Sequence, residues 1–147
     1  MSGRDDRLIV FSAGLTTCAL RLEQAAEVLE GVAAYPVPGA PPYMAEAINV
    51  HGRIVPVLDL SVYFGAGQFS GETIIVFDRQ VADLALRVRG GVTIVPADRA
   101  TGEEQGDRPL VERYLALGGE RVALLAPGRL VKEIEERLSE ETWRNNG

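Results

Sequence analysis

The chain carries one cysteine, Cys18, and one histidine, His51. A lone cysteine closes no internal disulfide, which fits a reducing compartment. A Cys/His zinc site takes about four ligands, and two candidates are present. An all-carboxylate magnesium or calcium site stays open on count alone, but no EF-hand-type calcium loop occurs. A serine triad would have to use His51, and no G-x-S-x-G elbow presents a nucleophile. Phosphate loops are missing too: neither G-x-x-x-x-G-K-S/T nor G-x-G-x-x-G is found, and Gly65-Ala66-Gly67 precedes no helix-opening lysine. No run approaches the ~20 apolar residues of a membrane-spanning helix. The opening residues, MSGRDDRLIV, lack the apolar stretch of a signal peptide, so a soluble cytoplasmic protein with no membrane insertion is expected. Basic residues are in deficit, 15 against 21 acidic ones, for a net charge of -6. That excludes a sequence-independent electrostatic grip on nucleic acid. Aromatics reach 6%. Phe11, Phe64 and Phe77 fall within apolar runs rather than alternating with basic residues, so they read as core and not as a base-stacking surface.

The 147 residues are 46% apolar and 24% charged. That suits one globular domain, or two small halves sharing a core. Short β-rich runs recur along the chain, separated by turn residues. Residues 8–13 and 16–22 read as strands joined at Gly14-Leu15. Residues 47–60, AINVHGRIVPVLDL, read as a hairpin turning at His51-Gly52, with residues 54–60 as the return strand. Residues 73–77, TIIVF, form a continuous apolar run, as a buried strand does. Residues 84–88 alternate like a half-buried strand, Gly90-Gly91 breaks it, and residues 92–95 resume. Residues 110–117 and 121–126 flank a Gly118-Gly119 hairpin turn. Two segments read as helical: 23–30, EQAAEVLE, as a short internal helix, and the stretch from Gly128, with Leu130, Val131, Ile134 and Leu138 on one face. Residues 98–108 read as a solvated loop, and the two ends, 1–7 and 139–147, as flexible or frayed. The sum is a mainly β chain with eight or nine short strands.

Few groups are left to carry chemistry. Cys18 sits in an apolar strand, as a buried inert thiol does. Glu103-Glu104 and Glu140-Glu141 stand in solvated contexts and read as surface charge. The proline cluster YPVPGAPPY, with Pro36, Pro38, Pro41 and Pro42, cannot be a central strand, because each proline removes a ladder donor. It reads as an extended surface loop that either links two packed halves or makes contacts. Gly52 permits positive φ at the hairpin turn, Pro56 marks a strand edge or bulge, and Asp59 can accept backbone N–H bonds to start the turn or short helix SVYF. Glu27 is a carboxylate on an apolar segment and wants a partner, either His51 or a basic group of another protein.

From Glu27 to Phe64 the sequence resembles the CheW-like coupling domain of bacterial chemotaxis. The resemblance rests on Glu27-Val28, the proline-bearing loop at 38–42, and the hairpin 47–60, in which Asn49, Gly52, Pro56, Asp59 and Leu60 stand in register with the family pattern. The flanking β-rich pattern extends it over about 8–138 as one CheW-like domain.

The resemblance implies two small five-stranded, SH3-like β-barrels packed together, with apolar cores within and between them, plus a short internal helix and a C-terminal helix. It implies no catalysis and no cofactor. It implies two partners: the regulatory domain of a CheA-like histidine kinase, which has the same fold, and the cytoplasmic tip of a methyl-accepting chemotaxis receptor, held as a helix in an apolar groove. The expected contact residues are Glu27, Pro38, Pro41, Pro42, Tyr43, Asn49, His51 and Arg53, with Gly52, Pro56 and Asp59 as scaffold. This chain departs from the family at His51, where arginine is usual, at Arg89, where an aspartate is favoured, and at Ala126-Pro127. A divergent adaptor that binds one partner and insulates a parallel pathway is therefore a second expectation. A small-molecule-binding barrel or an enzyme built on acidic residues is a third, from another class.

Overall fold

Alternating apolar residues and two-residue turns generate most of the chain as antiparallel ladders. The structure, a computed structural model, describes residues 6–67 and 71–146, with side chains described through residue 141. Its elements are β1 (Arg7–Ala13), β2 (Thr16–Arg21), β3 (Ala25–Glu30), β4 (Tyr35–Pro36), β5 (Glu46–Val50), β6 (Arg53–Asp59), α1 (Leu60–Tyr63), β7 (Thr73–Phe77), β8 (Ala85–Pro96), β9 (Glu103–Gln105), β10 (Val111–Leu117), β11 (Glu120–Leu125) and α2 (Pro127–Asn146). Hairpins join β1 to β2, β5 to β6 and β10 to β11.

Strand β8 organises the rest. Its first residues pair with β7 and, in parallel, with β6, while its later residues pair with β1. One half therefore holds β3–β7 and the start of β8. The other holds β1, β2, β9–β11 and the end of β8. The ladders run β3-β7-β8-β6-β5-β4 on one side and β8-β1-β2-β11-β10-β9 on the other. Both paths are open, so the hydrogen-bonding pattern does not close the expected barrels. The expected mainly β fold of two packed halves stands.

Three apolar clusters match that division. Ile48, Val50, Val55, Val57, Ile74 and Val76 fill the first half. Leu8, Ala19, Leu115, Val122 and Leu124 fill the second. The largest cluster lies between them and takes in Ile9, Phe11, Leu20, Leu58, Phe77, Leu86 and Leu125, with Leu130 and Ile134 of α2. Each such side chain contributes about 1.5–3 kcal/mol on burial, so this central cluster is the main bond between the halves. Pro127 opens α2, where its missing N–H is no loss.

Several boundaries differ from the sequence reading. Residues 23–30 are not a helix: a single 3-10 turn over Leu22–Gln24 leads directly into β3. The apolar strand β7 needs a partner on its outer side, and the period-two face Ala25, Glu27, Leu29 supplies it. Gly90-Gly91 does not end a strand. Gly90 adopts φ 69, the pairing with β1 shifts register there, and β8 continues as a bulged strand. The polar stretch 98–108 is not all loop, since β9 pairs with β10. Helix α2 continues to Asn146 across residues expected to fray, and β1 begins at Arg7. Residues 1–5 and Gly147, also expected to be mobile, lie outside the described residues.

Candidate protein-interaction site

The β5–β6 turn places the central motif. His51 has φ 51 and Gly52 φ 86, the two successive positive values of a type I′ turn. Glycine tolerates this freely, and histidine is among the residues enriched in the left-handed region. The Oδ1 of Asn49 accepts the Gly52 N–H at 2.8 Å and fixes the turn. Asn49 therefore has a structural task, though its residue is exposed. The turn projects His51 towards β3, where Nε2 lies 2.7 Å from Oε1 of Glu27. The His51 side chain is 77% exposed and that of Glu27 33%. Glu27 thus finds its partner within the chain. The pair also spans from β3, one end of the first ladder, to the hairpin on its other arm, a gap that no backbone ladder bridges.

Arg53 forms an ion pair with Asp83, in the connection between β7 and β8. Pro56 faces Ala47 across the hairpin. Counted from the two-residue turn, that is a non-hydrogen-bonded pair, so the missing proline N–H breaks no β5–β6 bond. On its other side β6 pairs with β8 from Val57 onward, leaving Pro56 on a free edge. Asp59 caps α1 by accepting the Val62 N–H at 3.2 Å.

The proline loop folds back on itself through two successive turns. Ala40 N–H donates to the Val37 carbonyl around Pro38-Gly39, with Gly39 at φ 77, as a type II turn requires. Pro41 then leads into a 3-10 turn over Pro42–Met44. Pro38 and Pro42 are exposed and Pro41 is half-buried. Tyr43 departs from expectation as a surface contact: it is 5% exposed and belongs to the central core. Its ring meets Tyr63 edge-on at 5.2 Å, Arg137 of α2 lies 4.7 Å from both ring centroids, and its hydroxyl donates to Glu141 at 3.2 Å. Burial, with the Glu133 carboxylate that accepts the phenol, pushes Tyr63 up to about 12. This tyrosine–arginine stack holds α2 over the first half. The proline loop and the following part of α2 flank a cleft of about 720 Å³ lined by residues 37–42, Met44, Pro56, Leu138 and Glu141.

Sequence reasoning missed Asp83, the Arg137 stack and the helix wall of the cleft, because nothing in one-dimensional spacing brings α2 to the proline loop. It also missed exposed apolar residues. Ile54 and Tyr35 are 63% and 58% exposed on the first half. Ile94 is 48% exposed and pairs across β1–β8 with Ile9, a buried member of the central core. Of the acidic pairs, Glu103 meets Arg113 at 3.0 Å, Glu104 meets Arg121 at 3.1 Å, and Glu141 accepts the Tyr43 hydroxyl. Among the described residues no three His, Cys, Asp or Glu side chains gather as a metal site would need.

Residues 7–135 match the CheW-like domain family. The chain belongs to that family. Its fold is also similar to TtCheW, a scaffolding protein from Thermoanaerobacter tengcongensis, with a TM-score of 0.70 and 22% identity over 84% of this chain and 90% of that one. No curated protein sequence matches the chain. The family match ends within α2, so Arg137, Leu138 and Glu141 of this CheW-like chain lie beyond it.

Proposed function

We propose that this CheW-like chain is a non-enzymatic cytoplasmic scaffold that couples a chemotaxis receptor to a CheA-type histidine kinase. The family match over residues 7–135 carries the reading. The kinase's regulatory domain, of like fold, docks at the end of the first half, against Glu27, His51, Arg53 and the exposed prolines. The receptor tip lies as a helix in an apolar groove between the halves, with exposed Ile94 among its contacts, the helix-in-groove mode. Among the described residues no helix is long and apolar enough to cross a membrane. A pull-down with a kinase regulatory domain and a receptor cytoplasmic fragment tests the proposal. Retention of both supports it, and retention of neither overturns it.

One observation favours a second reading, a partial adaptor that binds one partner. The hairpin residue facing Glu27 is histidine, which makes one bond where an arginine would present a bidentate, always-charged fork. If that difference has uncoupled the kinase, His51→Arg restores kinase binding that the native chain lacks. Full binding by the native chain eliminates this reading.

A further inference from the structure

We infer that the cleft between the proline loop and α2 docks a peptide segment of a protein partner in which an apolar side chain stands beside an arginine or lysine. Residues 31–45, GVAAYPVPGAPPYMA, contain no charged side chain, and their polar side chains are two tyrosines, of which Tyr43 is buried. Surface loops are ordinarily polar, and exposed apolar patches mark contact sites. Here Tyr35 is 58% and Val37 39% exposed, with Pro38, Gly39 and Pro42 exposed beside them. The loop is already ordered by its two turns, so a ligand would not have to freeze it. The cleft volume of about 720 Å³ is in the range that accommodates side chains of a bound segment.

Charge selects the occupant. Of the cleft-lining residues one is charged, Glu141. Its carboxylate accepts the Tyr43 hydroxyl and retains further acceptor positions. Arg137, one helical turn before it on α2, is spread over the Tyr43 and Tyr63 rings and offsets part of its charge. No arginine or lysine occurs in the sequence between Arg21 and Arg53, and the loop therefore brings no cation of its own to the cleft. The loop wall and Pro56 lie within the family match, and the helical wall, Leu138 and Glu141, lies just beyond it. The inference rests on the scaffold reading in that exposed Pro38 and Pro42, offered there to the kinase, also line this cleft.

The test uses the full chain and two fluorescent peptides of roughly 14 residues, about four helical turns. Both carry the same leucines and alanines at helical spacing, one with arginines and the other with glutamates on the polar face. Fluorescence anisotropy is expected to show the arginine peptide binding about fivefold tighter or more. Val37→Asp and Glu141→Lys, each checked for native circular dichroism, are each expected to weaken that binding about fivefold. Glu141→Lys should also remove the preference for arginine. Equal binding of both peptides, or arginine-peptide binding indifferent to both substitutions, overturns the inference. So does self-association of the chain that Val37→Asp abolishes, which would make a second copy the occupant. A failed titration alongside an intact kinase pull-down removes this site and leaves the scaffold reading standing.

Discussion

Replacing Glu112 by glutamine should remove an ion pair that ties the second half together, and its contribution can be worked from the geometry. Arg21, at the end of β2, forks onto Glu112 of β10, with guanidinium–carboxylate distances of 2.8 and 2.7 Å. The strand between them is β11, so the pair bridges over a neighbour rather than reinforcing an adjacent ladder. Arg113 adds a second cation at 2.8 Å and continues to Glu103. The Arg21 guanidinium holds the Glu112 carboxyl down at about 2, against an ordinary 4.5. Carried through proton linkage, that difference sets a ceiling of roughly 3 kcal/mol. The Arg21 side chain is 36% exposed and that of Glu112 22%, so solvent screens much of it. A bidentate pair in such a setting contributes about 1 kcal/mol. A carboxyl with a depressed folded-state pKa stabilises above its unfolded value and loses that contribution as pH falls through the folded one. Glu112→Gln should therefore lower stability by about 1 kcal/mol at neutral pH, close to 3 °C in Tm. The difference from the native chain should fade between pH 4.5 and about 2. Urea unfolding of both proteins across that range is the assay. A difference as large at pH ~3 as at pH ~7, or none at either, refutes the ion-pair reasoning.

Other outcomes follow from single sites. Gly106→Ala should cost more than about 2 kcal/mol by chemical denaturation, because an added Cβ would stand 2.0 Å from the Val111 carbonyl oxygen, a backbone atom. Asp59→Ala should lower stability by about 1 kcal/mol through loss of the α1 cap, read from the same denaturation curves. Burial pushes the Cys18 thiol up to about 12, so iodoacetamide at mildly alkaline pH should leave the native chain unmodified and label it promptly in denaturant, with mass spectrometry as the readout.

The strands that the sequence marks most clearly are those whose pattern is set by their own residues. TIIVF is buried whichever neighbour it meets, and it appears as β7 at the expected bounds. The His51-Gly52 and Gly118-Gly119 turns are likewise local, since positive φ at both central residues is a property of the turn itself. Segment 23–30 was misread because glutamate and alanine favour helix by intrinsic propensity, and its strand conformation is imposed by β7 across the ladder. The Gly90-Gly91 pair looked like an end because glycine ordinarily interrupts strands, but here it supplies the bend that lets one strand serve both halves. The site divides the same way. That Glu27 wants a partner is legible from a carboxylate on an apolar segment, with His51 one of two candidates, and the hairpin turn decides for His51. Tyr43 was placed outside because prolines surround it, whereas Arg137 and Glu141, nearly a hundred residues on, draw it into the core.

The central claim is coupling, and isothermal titration of the full chain tests it most directly. The titrants are the regulatory domain of a CheA-type kinase, a receptor cytoplasmic fragment, and then each in the presence of the other. The account predicts that both bind and that neither displaces the other, with Glu27→Ala weakening the kinase and leaving the receptor unchanged. Absence of heat with both titrants, in a chain that is folded by circular dichroism, would contradict it.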